Sequence, residues 1–138
     1  MESAAEVSAL SIAITKLKAT SAVTTKTTAV RIYPIDLPQG ATMPCLVVNI
    51  ASGYDEHMLT GAGKYFRNRV TIECMAATPE EVMSLGDAVM TALQDNVNAT
   101  IGAFTGVATQ FADLDRTDYS DDRATYRRTL DFFIRWRS

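Results

Sequence analysis

The chain has 138 residues, of which 47% are hydrophobic, enough for one domain with a buried core but too few for two. Its 16 acidic and 13 basic residues give a formal net charge of -3, which excludes a general electrostatic attraction to nucleic acid. The apolar runs are far shorter than the roughly 20 residues of a membrane span, and no basic-then-apolar secretory signal begins the chain, so we expect a protein that stays in the cytoplasm where it is made.

The first predicted element is a helix over residues 3–19. Ser3 and Glu6 have the spacing of a capping box, in which two side chains satisfy free backbone N–H groups at a helix start. Apolar residues then recur at steps of three and four, which is typical of one buried helix face. That face is predicted to pack on a sheet, and its members are Val7, Leu10, Ile14 and Leu17.

Two segments with little apolar periodicity follow this helix. Residues 20–28 are rich in Thr and Ser and are predicted to be a connector. Residues 30–33 are β-prone, and the segment after them is kept out of regular structure by Pro34, Pro38, Gly40 and Pro44. We therefore expect an extended arm or a short edge strand in this part of the chain.

Residues 45–51 and 64–76 are predicted to be two strands of a hairpin. The first is a nearly continuous apolar run, consistent with burial on both faces, whereas the second alternates apolar and polar residues. Between them, residues 52–63 contain three glycines and several polar residues, which favours a protruding flexible loop. The face of the second strand expected in the core carries Phe66, Val70, Ile72 and Cys74.

A second helix is predicted to begin after Thr78 and to end near Asn96. Thr78 is a favoured N-cap residue, Pro79 suits the first helical position, and the two glutamates that follow complement the helix dipole. The predicted buried face of this helix comprises Val82, Leu85, Val89 and Leu93.

The remaining residues are predicted to supply strands. Residues 101–114 give a weaker strand pattern because Gly102 and Gly106 interrupt it, whereas residues 124–136 alternate between an apolar and a largely solvated face. The element order predicts an α+β fold, with a mainly antiparallel sheet of four to five strands and two helices packed on one face. We expect a single domain over residues 1–138.

The motifs predict no catalytic, cofactor-binding or metal site. Cys45 and Cys74 lie in strand patterns and are interpreted as reduced core residues in preference to a disulfide, and with one histidine they fall short of a four-ligand zinc site. The glycines before Lys64 match neither a phosphate-binding loop nor a dinucleotide fingerprint. His57 has no partner serine motif and is interpreted as a surface residue of the flexible loop.

Acidic and basic residues cluster near the C-terminal end of the sequence. Asp113 and Asp115 have the spacing that opens a calcium loop, but the following residues break the pattern, so a solvated acidic loop is favoured over an EF-hand. The arginines of the last strand are expected to pair with neighbouring acids within the sheet or across a subunit interface, with phosphate binding as the alternative.

A series of short stretches follows the N-terminal helix and spans most of the chain. They are Val30-Arg-Ile-Tyr-Pro34, Pro38-Gln-Gly-Ala41, Met43-Pro-Cys-Leu46, Leu59-Thr-Gly-Ala-Gly63, Asn68-Arg-Val-Thr-Ile-Glu73 and Ala77-Thr-Pro-Glu-Glu81. In this order and spacing, the chain resembles the tail-completion, or tail-terminator, family of long-tailed phages and gene-transfer agents. The acidic segment and the arginine-rich end are less characteristic of that family.

The resemblance implies a structural virion protein with no enzymatic activity and no cofactor. It would form a ring, commonly six-fold, at the head-proximal end of the tail tube after assembly in the host cytoplasm. Its partners would be copies of itself, the tail tube protein and a head–tail connector or stopper protein. DNA would pass through the ring without sequence-specific binding.

The same resemblance suggests two groups of assembly residues. Glycine-bearing and extended segments suit contacts between different faces of neighbouring subunits. The candidate subunit or tube contacts are Tyr33, Pro34, Gln39, Gly53, Tyr54, His57, Leu59, Gly61, Gly63 and Lys64. The candidate acidic lining of the DNA passage comprises Asp113, Asp115, Asp118, Asp121 and Asp122, where like charge would keep DNA from adhering.

The residues alone leave a second class of function open. A small ligand-binding or regulatory α+β domain would hold a metabolite on the sheet face opposite the helices and would show a concave apolar pocket. A hydrolase is a third class, but it would need convergent acids that the sequence does not locate.

Overall fold

The computed structural model describes residues 4–27, 31–57, 64–122 and 124–137. Within these ranges the chain forms three helices, which are α1 (Ala4–Ala19), α2 (Ser21–Thr24) and α3 (Pro79–Leu93). It also forms six strands, which are β1 (Ile32–Pro34), β2 (Cys45–His57), β3 (Lys64–Ala76), β4 (Asn96–Ile101), β5 (Phe104–Tyr119) and β6 (Tyr126–Arg137).

The strands form one mixed sheet in the order β1-β2-β3-β6-β5-β4, which curls into a half-barrel. β1 is parallel to β2, and the other neighbouring pairs are antiparallel. The mixture of helices and strands agrees with the predicted class, but the prediction of four to five strands is wrong. The arrangement of exactly two helices on one face is also wrong, because α2 is a third helix that contacts α1 and α3.

Helix α1 ends at Ala19 and buries Leu10 and Leu17, as predicted. It also buries three residues outside the predicted face, which are Ala9, Ile12 and Ala13. Ile14 is only partly buried against this core. Small alanine side chains allow α1 to lie close to β2 and β3, so a pattern that counts only large apolar residues misjudges the rotation of the helix. Ser3 and the side chain of Val7 lie outside the described part of the structure.

The predicted connector at residues 20–28 contains the short helix α2. Val23 is fully buried in the core, and the buried Thr27 donates its hydroxyl hydrogen to the carbonyl oxygen of Pro44 at 2.7 Å. One helical turn with one buried apolar side chain gives no periodic signal, which explains why this helix was not predicted. The segment holds the C-terminal end of the residue 34–44 arm against the core.

Strands β2 and β3 form the predicted hairpin, but β2 is longer than its apolar pattern indicated. The backbone of residues 52–57 pairs with residues 64–69, so this stretch is strand and not the predicted loop. A register shift between Ile50 and Ser52 marks a bulge, which ends the apolar run without ending the strand. β3 has the predicted bounds, and it buries Val70, Ile72 and Cys74 as expected.

Helix α3 confirms the strongest local prediction of the sequence. Thr78 has extended backbone angles, and its side-chain oxygen accepts a hydrogen bond from the backbone N–H of Glu81 at 3.2 Å. The helix ends at Leu93, three residues earlier than predicted. All four predicted core residues of this helix are buried, and they pack with Leu46, Ile72 and Phe132 of the sheet in one apolar layer.

The stretch predicted as one weak strand, residues 101–114, contains the turn between two strands. Gly102 has a φ of +59°, a conformation that glycine adopts at little cost, and the chain reverses there between β4 and β5. β5 then continues to Tyr119 through the segment predicted to be an acidic loop, because it pairs with β6 to its end. A register shift between Phe111 and Asp115 bends this strand.

The two cysteines lie on neighbouring strands but on opposite faces of the sheet. Cys45 is opposite Met75 and Cys74 is opposite Leu46, and adjacent residues of a strand point to opposite sides. Both thiols are free and buried, as predicted, and burial raises the pKa of each. None of the helices in the described part of the chain combines the length and apolar character of a membrane-spanning segment.

Candidate functional site

Arg128 of β6 joins helix α3 to the sheet from a nearly buried position. Its side chain is 6% exposed, and its guanidinium donates hydrogen bonds of 2.9 and 2.8 Å to the two carboxylate oxygens of Asp115 on β5. Nη1 also donates to the carbonyl oxygen of Met83 at 2.8 Å and to the carboxylate of Asp87 at 2.9 Å. The hydrogen bond from Arg128 holds the pKa of Asp115 below its usual value. We call this group of contacts the arginine clasp.

Gly86 makes room for the arginine clasp. A Cβ at this position would lie 2.5 Å from Cδ and 2.6 Å from Nη1 of Arg128, well inside contact distance. Glycine in a helix interior costs about 0.5–1 kcal/mol relative to alanine, so its presence in α3 follows from this close approach.

The sheet face opposite the helices carries a second polar network, centred on Asp131. Its carboxylate accepts hydrogen bonds from Nε of Arg69 at 2.6 Å and from the hydroxyl of Thr71 at 2.8 Å, and its side chain is 5% exposed. Arg69 also donates to the carbonyl oxygen of Ala112 at 3.2 Å. Thr129 and Asp131 lie on the face of β6 that was predicted to be largely solvated, but both are buried.

A trough of about 410 Å³ lies on this face, between the Asp131 network and strand β4. Its lining includes Arg67, Asp95, Val97, Gln110, Phe133 and Arg135, and this cavity is called the trough below. The guanidinium of Arg67 lies over the Phe133 ring, 4.2 Å from its centroid, in cation–π contact. Two arginines against one aspartate give the described lining a positive charge balance.

Residues 34–44, called the arm, lie at the other edge of the sheet. The N–H of Ile35 donates to the carbonyl oxygen of Val48 at 2.7 Å, and Asn49 donates its side-chain amide to the carbonyl oxygen of Ile35 at 3.4 Å. The Ile35 side chain is 47% exposed, and Asp36 is exposed as well. The arm therefore presents an apolar and an acidic side chain next to each other at the β1 edge.

The candidate contact residues from the sequence fall into three groups. Tyr33 and Pro34 lie in β1, and Gln39 is an exposed arm residue. The β2–β3 ladder contains the backbones of Gly53, Tyr54, His57 and Lys64, which pair with Asn68, Arg67, Lys64 and His57 respectively. Leu59, Gly61 and Gly63 lie outside the described residues. The structure thus groups the first set at the β1 edge and the second set at one end of the hairpin.

The candidate acidic residues do not form one cluster. Asp115 belongs to the arginine clasp, and Asp118 accepts hydrogen bonds of 3.0 and 2.8 Å from Arg127, which lower its pKa. Asp121 and Asp122 are exposed in the turn between β5 and β6, and Asp113 is exposed at the β5 register shift. The predicted pairing of C-terminal arginines with neighbouring acids within the sheet is therefore confirmed for two of them.

Ligands for a metal ion are not grouped in the described ranges. Within residues 4–27, 31–57, 64–122 and 124–137, no three His, Cys, Asp or Glu side chains lie close enough together to hold one. The polar groups with short contacts are instead joined in pairs across strands, as in the clasp and the Asp131 network. Such cross-strand pairs stabilise the arrangement of the strands.

Sequence reasoning missed the clasp and the trough. Alternation assigns Arg128 to the same sheet face as Leu130 and Phe132, and a charged residue within that apolar stripe is a usable signal for a buried ion pair. The trough gives no such signal, because its residues come from four strands, β3 to β6, and from Asp95 just before β4, and strand order brings them together.

The chain is similar to known proteins in sequence and in fold. A family described as tail completion protein gp17 matches residues 13–137. A chain in the structure titled "Virion of native gene transfer agent (GTA) particle" is similar in fold, with a TM-score of 0.73, 18% sequence identity, and coverage of 99% of this chain and 100% of that one. Comparison with curated protein sequences gives no match. Because the family match extends over most of its length, the chain belongs to the tail completion protein gp17 family.

Proposed function

We propose that the chain is a structural subunit of a ring that ends the tail tube at its head-proximal end and joins it to the head connector. The observation that carries this proposal is the tail completion family match over residues 13–137. The similarity in fold to a chain of a gene transfer agent virion supports it, because the two chains correspond over nearly their full lengths.

The shape of the subunit is suited to a ring. The sheet has two different edges, β1 with the arm on one side and β4 with the trough on the other. Contacts between unlike surfaces repeat head to tail, and they close into a ring when the rotation per subunit divides a full turn. Six copies are proposed for the assembled tail.

The proposed partners are other copies of the chain, the tail tube protein and a head–tail connector or stopper protein. Tyr33, Pro34 and Gln39 at the β1 edge, with the end of the β2–β3 hairpin, supply the proposed subunit and tube contacts. DNA passes through the ring without sequence-specific binding, and the exposed Asp121 and Asp122 are proposed to face that passage. The ring is assembled in the host cytoplasm and remains at the head-proximal end of the virion tail.

The ligand-binding alternative has less support from the described residues. A metabolite site of that kind is a concave apolar pocket with a few polar groups. The trough has charged side chains from two arginines and an aspartate around a single aromatic ring, which is closer to the composition of a protein contact.

The proposal is tested by a tube-capping assay. Purified tail tube protein is polymerised with and without the chain, and tube lengths and ends are measured in negative-stain electron micrographs. A tube-terminating subunit shortens the tubes in proportion to its concentration and adds a ring-shaped density to one end. An unrelated protein of similar size serves as the control. Tubes of unchanged length with bare ends, together with compact dimers of the chain at every concentration, would refute the function.

A further inference from the structure

We propose that the trough receives the arm of a second copy of this chain, with the arm carboxylate of Asp36 placed between the trough arginines Arg67 and Arg135. This inference rests on the proposed ring function, and it names the contact through which neighbouring subunits meet. The occupant is a second copy, because the complementary surfaces lie at opposite edges of one sheet.

Strand order puts the two surfaces on opposite sides of the subunit. The arm follows β1 at one edge, and the trough borders β4 at the other. A neighbour that places its arm in this trough leaves its own trough open to the next subunit, so the contact propagates in one direction. This is the heterologous contact that a ring requires.

Strand direction points the chain leaving β1 toward the end of the sheet where the trough lies. β1 is parallel to β2, so the chain leaves β1 toward the end of β2 where Tyr54 is opposite Arg67. Arg67 is opposite Arg135, and Arg135 is opposite Ala108 of the trough. Ile72, which is opposite Val48, and Arg67 are five residues apart on β3, a distance of about 17 Å along the strand.

The arm is anchored at both ends, and Asp36 lies close to one anchor. Its eleven residues are anchored at Ile35 by Val48 and at Pro44 by Thr27. Asp36 directly follows Ile35, and its N–H donates to the carbonyl oxygen of Pro34 at 2.7 Å, so it stays near the level of Val48. A neighbour whose Asp36 meets Arg67 and Arg135 is therefore displaced along the strand direction by up to about 17 Å. The contact closes into a ring when this displacement has no component along the ring axis.

Charge and apolar surface are complementary between the arm and the trough. Asp36 is the only charged residue of the arm, and it is exposed. Arg67 and Arg135 also interact within their own subunit, and the cation–π contact with Phe133 helps to hold the guanidinium of Arg67 in position. Val97, 81% exposed at the trough rim, and Ile35, 47% exposed on the arm, supply an apolar contact beside the ion pair.

The test uses two charge-reversed versions of the full chain, Asp36→Arg and Arg135→Asp. Each variant alone brings like charges together at every contact, so ring formation, or tube-end binding, weakens at least about tenfold. An equimolar mixture restores complementary contacts, because subunits of the two kinds alternate around the ring. Matched controls make comparable charge reversals at exposed positions elsewhere, Glu80→Arg and Lys18→Asp, and leave assembly unchanged.

Assembly is measured by sedimentation velocity and electron microscopy, and folding of each variant is verified by circular dichroism and thermal melting. Folded single variants that assemble like wild type, or a mixture that stays unassembled, would overturn the arm–trough contact. Loss of DNA binding in Arg135→Asp with rings intact would also overturn it, and would assign the trough to DNA. If the wild-type chain forms no rings with or without tail tubes, the ring function itself is refuted.

Discussion

Substitution of Gly86 by alanine tests whether the arginine clasp sets the position of α3. In an ordinary helix interior this change stabilises a protein by about 1 kcal/mol, since alanine has the higher helix propensity. Here the added Cβ would lie 2.5 Å from Cδ of Arg128 and within 3 Å of its Nε and Nη1. The opposite sign is therefore expected.

The expected loss of stability follows from the hydrogen bonds that the guanidinium of Arg128 would have to break. The clashing atoms belong to a side chain that is held by Asp115, Asp87 and the carbonyl oxygen of Met83. Moving it by the required distance breaks one or two hydrogen bonds of a nearly buried charged group, each worth about 1.5–3 kcal/mol. After subtraction of a helix-propensity gain of about 1 kcal/mol, Gly86→Ala is expected to destabilise the protein by about 0.5–2 kcal/mol if one bond is lost and by about 2–5 kcal/mol if two are lost.

The decisive measurement is a double-mutant cycle followed by chemical denaturation. In an Arg128→Ala background the clash is absent, so Gly86→Ala should stabilise the protein by up to about 1 kcal/mol. The sign of the alanine effect thus reverses between the two backgrounds. An equal effect of Gly86→Ala with and without Arg128 would show that the two residues are not coupled, and would refute this account of the glycine.

Three further predictions concern local contacts. Thr78→Ala removes the N-cap acceptor of α3 and should cost about 1 kcal/mol in denaturant unfolding, whereas Thr78→Ser should retain most of the stability. The pKa of Asp115 is lowered in the folded state, so its contribution to stability is present above its unfolded pKa and is lost on acidification. Asp115→Asn should therefore lower the melting temperature at neutral pH, and the melting temperature of this variant should decrease less steeply below about pH 4 than that of the wild type. Cys45 and Cys74 are buried with raised pKa values, so both should react with iodoacetamide only on unfolding; rapid labelling of the native protein would contradict their burial.

The elements that were predicted well have local causes. The start of α3 is determined by Thr78 and Pro79, and β3 is indicated by the alternation of apolar and polar residues from Val70 to Cys74. Both signals lie within a few residues of the structure that they specify. The failures have non-local causes: residues 52–57 are polar and glycine-bearing, and they are strand because residues 64–69 pair with them.

The candidate site was less predictable than the fold. Tyr33, Pro34 and Gln39 were assigned to an extended edge segment, and they lie at the β1 edge. The aspartates, in contrast, were treated as one acidic group, whereas Asp115 and Asp118 are taken up by separate arginines of β6. No local pattern distinguishes a paired from an unpaired aspartate, because the partner is chosen by cross-strand register.

The two edge strands of the sheet are poorly suited to the strand addition that would produce a fibre. An open edge strand is a template for unlimited strand addition. β1 has only three residues and ends in Pro34, which has no N–H to donate, and β4 contains two register shifts and a residue of positive φ, Asn98. Both edges are therefore poor templates for continuing the sheet. In the proposed ring, a contact through side chains in the trough would set the angle between neighbours, and the ring would close where that angle divides a full turn.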